Sequence, residues 1–208
     1  MPLKLREYIY LFLVLGLLAC NEAPQETIYG HKSWNSDWSN IRPAMKDSIE
    51  NFGRSNAISG TAVGPAGRTP RSWYTRQWII KNVTQEELEQ LKTNPNGAVK
   101  ATVYETLILR SSGPEEQYNL IKEALADSTY FFSLNSGGCV GETYMVGEYI
   151  VEHVAYLPQK SMSPPPPSLP SDLRITDSFT QAQIDDLLQL YQERKRNKWE
   201  YFDERNFN

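Results

Sequence analysis

The chain has 208 residues, a formal net charge of −4 and 40% hydrophobic residues, which suits one domain of ordinary size with tails. The acidic balance argues against nucleic acid, whose phosphates reward a basic face. It also argues against a polybasic attraction to anionic membranes.

The first twenty residues read MPLKLREYIYLFLVLGLLAC. Lys4 and Arg6 form a basic start, and Tyr8 to Ala19 is an unbroken apolar or aromatic run. Spanning hydrocarbon takes about 20 such residues, so this run is short for a membrane span and fits the apolar region of a secretory signal. Leu17-Leu18-Ala19-Cys20 resembles the lipobox of bacterial lipoproteins. That resemblance implies cleavage before Cys20, a diacylglyceryl group on its thiol and acylation of the new amino group, palmitate being a typical chain. It also implies a membrane partnership through lipid on Cys20 in the bacterial cell envelope. Asn21 is not the aspartate that marks inner-membrane retention in some bacteria, which favours the outer membrane. Losing residues 1–19 removes Lys4, Arg6 and Glu7 and takes the charge from −4 to −5, so anchoring is expected to rest on lipid alone.

Residues 20–42 read as a lipid-anchored tether, with Trp34 and Trp38 four apart and able to share a helical face. A helix is expected from Pro43 to Phe52, with proline in its first turn and Gly53 as its stop. Residues 54–72 read as a loop rich in glycine and proline. Its GTAVGPAG stretch lacks the Lys-Ser/Thr of a phosphate loop, and Pro65 removes a backbone donor. Trp73 to Asn82 fits a helix with Tyr74 and Trp78 on one face, or a strand; the helix is preferred. Thr84-Gln85-Glu86-Glu87 has the form of a capping box and starts a helix with Leu88 and Leu91 inward. Pro95 opens the next helix, to about Ser111, with Val99, Val103 and Leu107 at four-residue spacing. Pro114 to Ala126 follows, with Leu120, Ile121, Ala124 and Leu125 on one face. Thr129 to Leu134 reads as a strand, residues 135–138 as a turn, and Val140 to Val154 as a strand passing into a helix. Residues 161–170 (SMSPPPPSLP) read as extended polyproline. Thr180 caps a final helix over 181–198 that uses Ile184, Leu187, Leu188 and Tyr191.

The stretch LEQLKTNPNGAVKATVYETL (88–107) resembles one HEAT-type helical hairpin, with a leucine helix, an Asn-Pro turn and a Val-Lys-x-x-Val pattern. No second copy stands out, and a solenoid needs about three repeats. The segment through Gly137-Gly138-Cys139 and the following VGEY also looks like uncharacterised proteins of Bacteroidetes-type bacteria. The expected fold is mainly α: HEAT-like helical hairpins with a small β or irregular insert. The expected organisation is a signal peptide (1–19), tether (20–42), helical domain (43–160), Pro-rich linker (161–171), and C-terminal helix and tail (172–208).

With Cys20 lipidated, Cys139 has no intramolecular disulfide partner, and the core must stabilise the domain. A cysteine in a glycine turn invites a nucleophile reading with His153 as base, set against a small buried thiol. His31 and His153 are the two histidines, far apart in sequence, which argues against a metal site; no cofactor is expected. Three functions follow: a non-catalytic scaffold binding an envelope protein, an enzyme using Cys139 and His153, or a glycan or small-ligand binder using Trp34, Trp38 and Trp73.

Overall fold

The computed structural model describes residues 36–63, 66–134, 141–157 and 175–198. The signal segment, Cys20, His31, Trp34, Cys139, the Pro-rich stretch and the tail from Trp199 lie outside the described residues. The fold is mainly α-helical with a small sheet. In chain order it runs α1 (Pro43–Gly53), β1 (Ala57–Ser59), α2 (Arg71–Asn82), α3 (Gln85–Leu91), α4 (Gly97–Arg110), α5 (Pro114–Ala126), β2 (Tyr130–Leu134) and β3 (Gly141–Met145). After these come the short helix α6 (Val146–Tyr149), a π-helical turn (Ile150–Val154), a 3-10 turn (Ile175–Ser178) and α7 (Gln181–Arg196).

Helix α4 is the centre. Ten of its side chains and backbone positions, from Gly97 and Val99 to Leu107 and Ile108, are buried around its whole circumference, as befits a helix covered on all sides. Gly97 is required there, since a Cβ would sit 2.3 Å from the Tyr130 carbonyl oxygen of β2. Around α4 pack α1, α2, α3, α5, α6 and the sheet, bringing Met45, Ile49, Phe52, Ile79, Leu88, Ile121 and Ile150 into one core. Helix α7 adds Leu187 and Tyr191 to it.

The capping signals act as the sequence predicts. The Thr84 hydroxyl accepts from Glu87 N, and the Glu87 carboxylate accepts from Thr84 N in return. Thr180 does the same with Gln183. Other expectations need correction. Helix α4 starts at Gly97 rather than Pro95, because the Asn96 side chain is the cap, accepting from Val99 N at 3.0 Å. The loop expected over 54–72 contains β1, which pairs parallel with β2 through Ala57↔Phe132 and Ser59↔Leu134. β2 in turn pairs antiparallel with β3 from Tyr130↔Met145 to Leu134↔Gly141, giving the order β1-β2-β3. Asn56 aligns this sheet with α4. It adopts φ +41, donates from its amide to Tyr130 O, and accepts from Ala98 N.

Helix α2 forms as preferred, with Tyr74 and Trp78 sharing a face, and that face is outside, at 58% and 41% exposure. The buried residues are Arg76 and Ile79. The inward position opposite Thr102 and Glu105 of α4 takes a guanidinium because an acid and a hydroxyl await it there.

Candidate functional site around His153

The Cys139–His153 pair is half visible. His153 is described, whereas Cys139 lies in the 135–140 connection between β2 and β3, outside the described residues. His153 sits on the π-helical turn, where Ala155 N donates to Ile150 O, five residues back, at 2.8 Å. Such a turn widens the helix and re-aims its side chains, and it is frequent at functional sites. Three residues after His153, Tyr156 adopts φ +51, a conformation uncommon for a residue with a Cβ.

The imidazole lies between two tyrosine rings. Its centroid is 5.0 Å from Tyr149 and 5.1 Å, edge to face, from Tyr144 of β3. Phe131 of β2 continues the cluster, 5.2 Å from Tyr149. His153 Nε2 is buried and has no hydrogen-bond partner among the described residues. Burial holds the imidazole below its ordinary pKa of 6.5, against the opposing pull of the Glu152, Glu142, Glu105 and Glu148 carboxylates. At neutral pH it is therefore uncharged.

Beneath Tyr149 lies the polar group that sequence reading missed. Arg76 Nε donates to Thr102 Oγ1 at 3.0 Å, and its Nη2 forms a short ion pair with Glu105. Tyr149 Oη stands 3.5 Å from both partners, at the limit of hydrogen bonding. Burial pushes the Tyr149 phenol well above its ordinary range, so it stays protonated. On the other side, Glu148 is buried and paired with Lys198 at 2.8 Å, while Glu152 pairs with Lys195 at 2.8 Å and accepts from Tyr191. The sequence carried no capping-box signal for Glu148, since Met145 three residues before it has no side-chain oxygen, yet Met145 N donates to its carboxylate at 3.3 Å.

No family model, curated protein or solved structure matches this chain. The chemistry must therefore be read from the cluster itself. It can hold an imidazole neutral in an aromatic box and a phenol protonated over an ion pair. Its carboxylates other than Glu142 all meet a cation, so each charge is answered from another element. Among the described residues, no group of three His, Cys, Asp or Glu side chains is placed to hold a metal ion. A crevice between α1, α2, α3 and α4 is lined by Ile49, Phe52, Leu88 and Val103 and has no room for a water molecule. Its Thr102 and Thr106 hydroxyls already donate to the carbonyls four residues back.

Of the aromatic residues proposed for ligand binding, Trp38 and Trp73 are described and Trp34 lies outside the described residues. Trp38 packs against the core with the Lys46 ammonium 5.6 Å above its ring, and Trp73 meets Tyr74 edge-on at 5.2 Å.

Proposed function

We propose that this chain is a lipid-anchored envelope protein whose helical domain works by binding rather than by chemistry, as a scaffold for another envelope component. The anchoring rests on the basic start, the short apolar run and the lipobox-like Leu17–Cys20. Two or three acyl chains on one cysteine give durable membrane attachment, where a single chain binds only marginally. Among the described residues, no helix is long and apolar enough to cross a membrane. The observation that carries the binding reading is the resemblance of residues 88–107, which run from α3 through the first turns of α4, to a HEAT-type hairpin.

The anchoring half is tested by the intact mass of the protein extracted from its own envelope. The expected species begins at Cys20 and carries acyl mass; a different terminus or an unmodified Cys20 overturns it. A second reading, an enzyme using Cys139 and His153, is favoured by one observation, the unpartnered Nε2 of His153 on a π-helical turn. Cys139→Ser and His153→Phe chains that fold and restore the phenotype of a deletion strain support the scaffold. Loss of function in both, with melting temperature unchanged, supports the enzyme instead.

A further inference from the structure

We propose that the outer face of α2 lies against an anionic phospholipid surface, so that the domain touches the bilayer directly as well as through its acyl anchor. This rests on the anchoring reading and adds a second contact that net charge alone argued against. Helix α2 (RSWYTRQWIIKN) contains no acidic residue in a chain with 25 of them. Arg76 and Ile79 point into the core, whereas Arg71, Tyr74, Trp78 and Lys81, spaced three, four and three apart, are all exposed. Such a row is one helical stripe. Its two central aromatics suit the headgroup boundary, where tyrosine and tryptophan concentrate, and its two terminal cations suit anionic headgroups. Arg110 adds a third cation at the Lys81 end, donating to Ile80 O at 2.6 Å and Val83 O at 2.8 Å.

Arg42, the residue before α1, donates to Asn82 O at 2.6 Å and so ties the start of α1 to the last turn of α2, while earlier in the chain Ser36 and Asp37 accept from Asn94 and Gln90 beside α3. Asn82 in turn donates to Trp78 O at 2.8 Å. Between Cys20 and Ser36, where the described structure begins, lie sixteen steps of chain, which reach at most about 55 Å fully extended and average roughly 20–24 Å as a flexible coil. That reach is long enough for a face of the domain to lie on the bilayer that holds the anchor. The acidic start of α5, Glu115 and Glu116, belongs to a helix packed on α4, α6 and α7.

The test uses the full chain purified from its envelope and reconstituted into vesicles of phosphatidylcholine, with or without phosphatidylglycerol. Amine acetylation read by mass spectrometry is expected to slow at Lys81 on phosphatidylglycerol vesicles relative to detergent, with Lys122, half exposed on α5, unchanged. Quenching by brominated acyl chains is expected to drop on Trp78→Phe. One cation near an anionic surface shifts the docked population by about fivefold, so Arg71→Gln with Lys81→Gln shifts it by roughly 30-fold and abolishes the quenching. Equal Lys81 labelling in detergent and on both vesicles overturns the proposal. Protection seen only in native envelope, and never on pure lipid, also overturns it and assigns the face to a protein. Intact mass separates the two readings: an acylated chain with α2 open to solvent refutes the lipid face alone, and an unacylated chain with Trp78 quenched refutes the anchor alone.

Discussion

Glu87 joins the incoming chain to α3, and its replacement by glutamine gives the sharpest test of how the domain is held. The side chain is buried, yet its carboxylate accepts from Arg42 Nε at 2.9 Å, Arg42 Nη2 at 2.8 Å, Arg42 N at 3.1 Å and Thr84 N at 2.9 Å. The Arg42 hydrogen bonds, with the Thr84 and Arg42 backbone donors, outweigh burial and hold the carboxyl at about 2 instead of 4.5. That difference corresponds to about 3 kcal/mol favouring the charged folded state. Arg42 is half exposed, 54% at the side chain, and solvent screening reduces the expected value to about 2 kcal/mol. A carboxylate depressed by folding stabilises above its unfolded pKa, and the stabilisation disappears as pH falls from 4.5 towards 2. Urea unfolding of Glu87→Gln should therefore show a loss of about 2 kcal/mol at neutral pH that shrinks steadily below about pH 4.5. A loss of the same size at neutral pH and near pH 3 would refute the charged clamp and leave only a packing effect.

Further substitutions separate the remaining arguments. Arg76→Met leaves Glu105 beside Tyr149 without its cation and should cost about 3–5 kcal/mol, whereas Arg76→Met with Glu105→Leu should recover most of it; equal losses in thermal melts would count against a buried pair. His153 is held below 6.5 by burial, so the unfolded chain takes its proton first and stability should decline as pH falls through that value. In His153→Phe that part of the decline should vanish, and denaturant midpoints from alkaline to mildly acidic pH will show it; an unchanged slope would mean that the imidazole titrates freely. A Cβ on Gly147 would stand 2.5 Å from Leu125 Cα and 2.6 Å from Ala124 O, whereas one on Gly113 meets nothing within 4 Å. Gly147→Ala should therefore destabilise by about 1–3 kcal/mol or more and Gly113→Ala hardly at all, and equal melting temperatures would contradict the close approach of α6 to α5.

What the sequence disclosed were features whose cause is local. Thr84 and Thr180 announce their helices because the cap and its partner are three residues apart. Pro43 and Pro114 do so because proline suits a first turn. What it hid depends on partners far along the chain. β1 is three residues in a glycine-rich stretch, and it becomes a strand only when Phe132, 75 positions later, pairs with Ala57. Arg76 faces inward because Glu105 and Tyr149, 29 and 73 positions away, receive it. An aromatic pair at helical spacing is ordinarily an inner face, and here the guanidinium displaces it to the surface. His153 was visible as one of two histidines, but its aromatic box and the π-helical turn arise from β3 and α6 closing on α5.

The same ion pairs explain how a contact at one face orients the whole domain. Buried pairs contribute little net stability over apolar packing, but breaking them is expensive, so they select one arrangement over its near neighbours. Arg42–Glu87 fixes the incoming chain to α3, Arg76–Glu105 fixes α2 to α4, and Lys100–Asp127 at 2.6 Å fixes α4 to the end of α5. At the far end Lys198–Glu148 and Lys195–Glu152 fix the end of α7 to α6 and the π-helical turn. Each clamp joins segments remote in sequence, so together they convert a helical stack into a rigid link from tether to C-terminal helix. With Arg42 locked beside Asn82, any contact made by Tyr74 and Trp78 sets the orientation of the whole body.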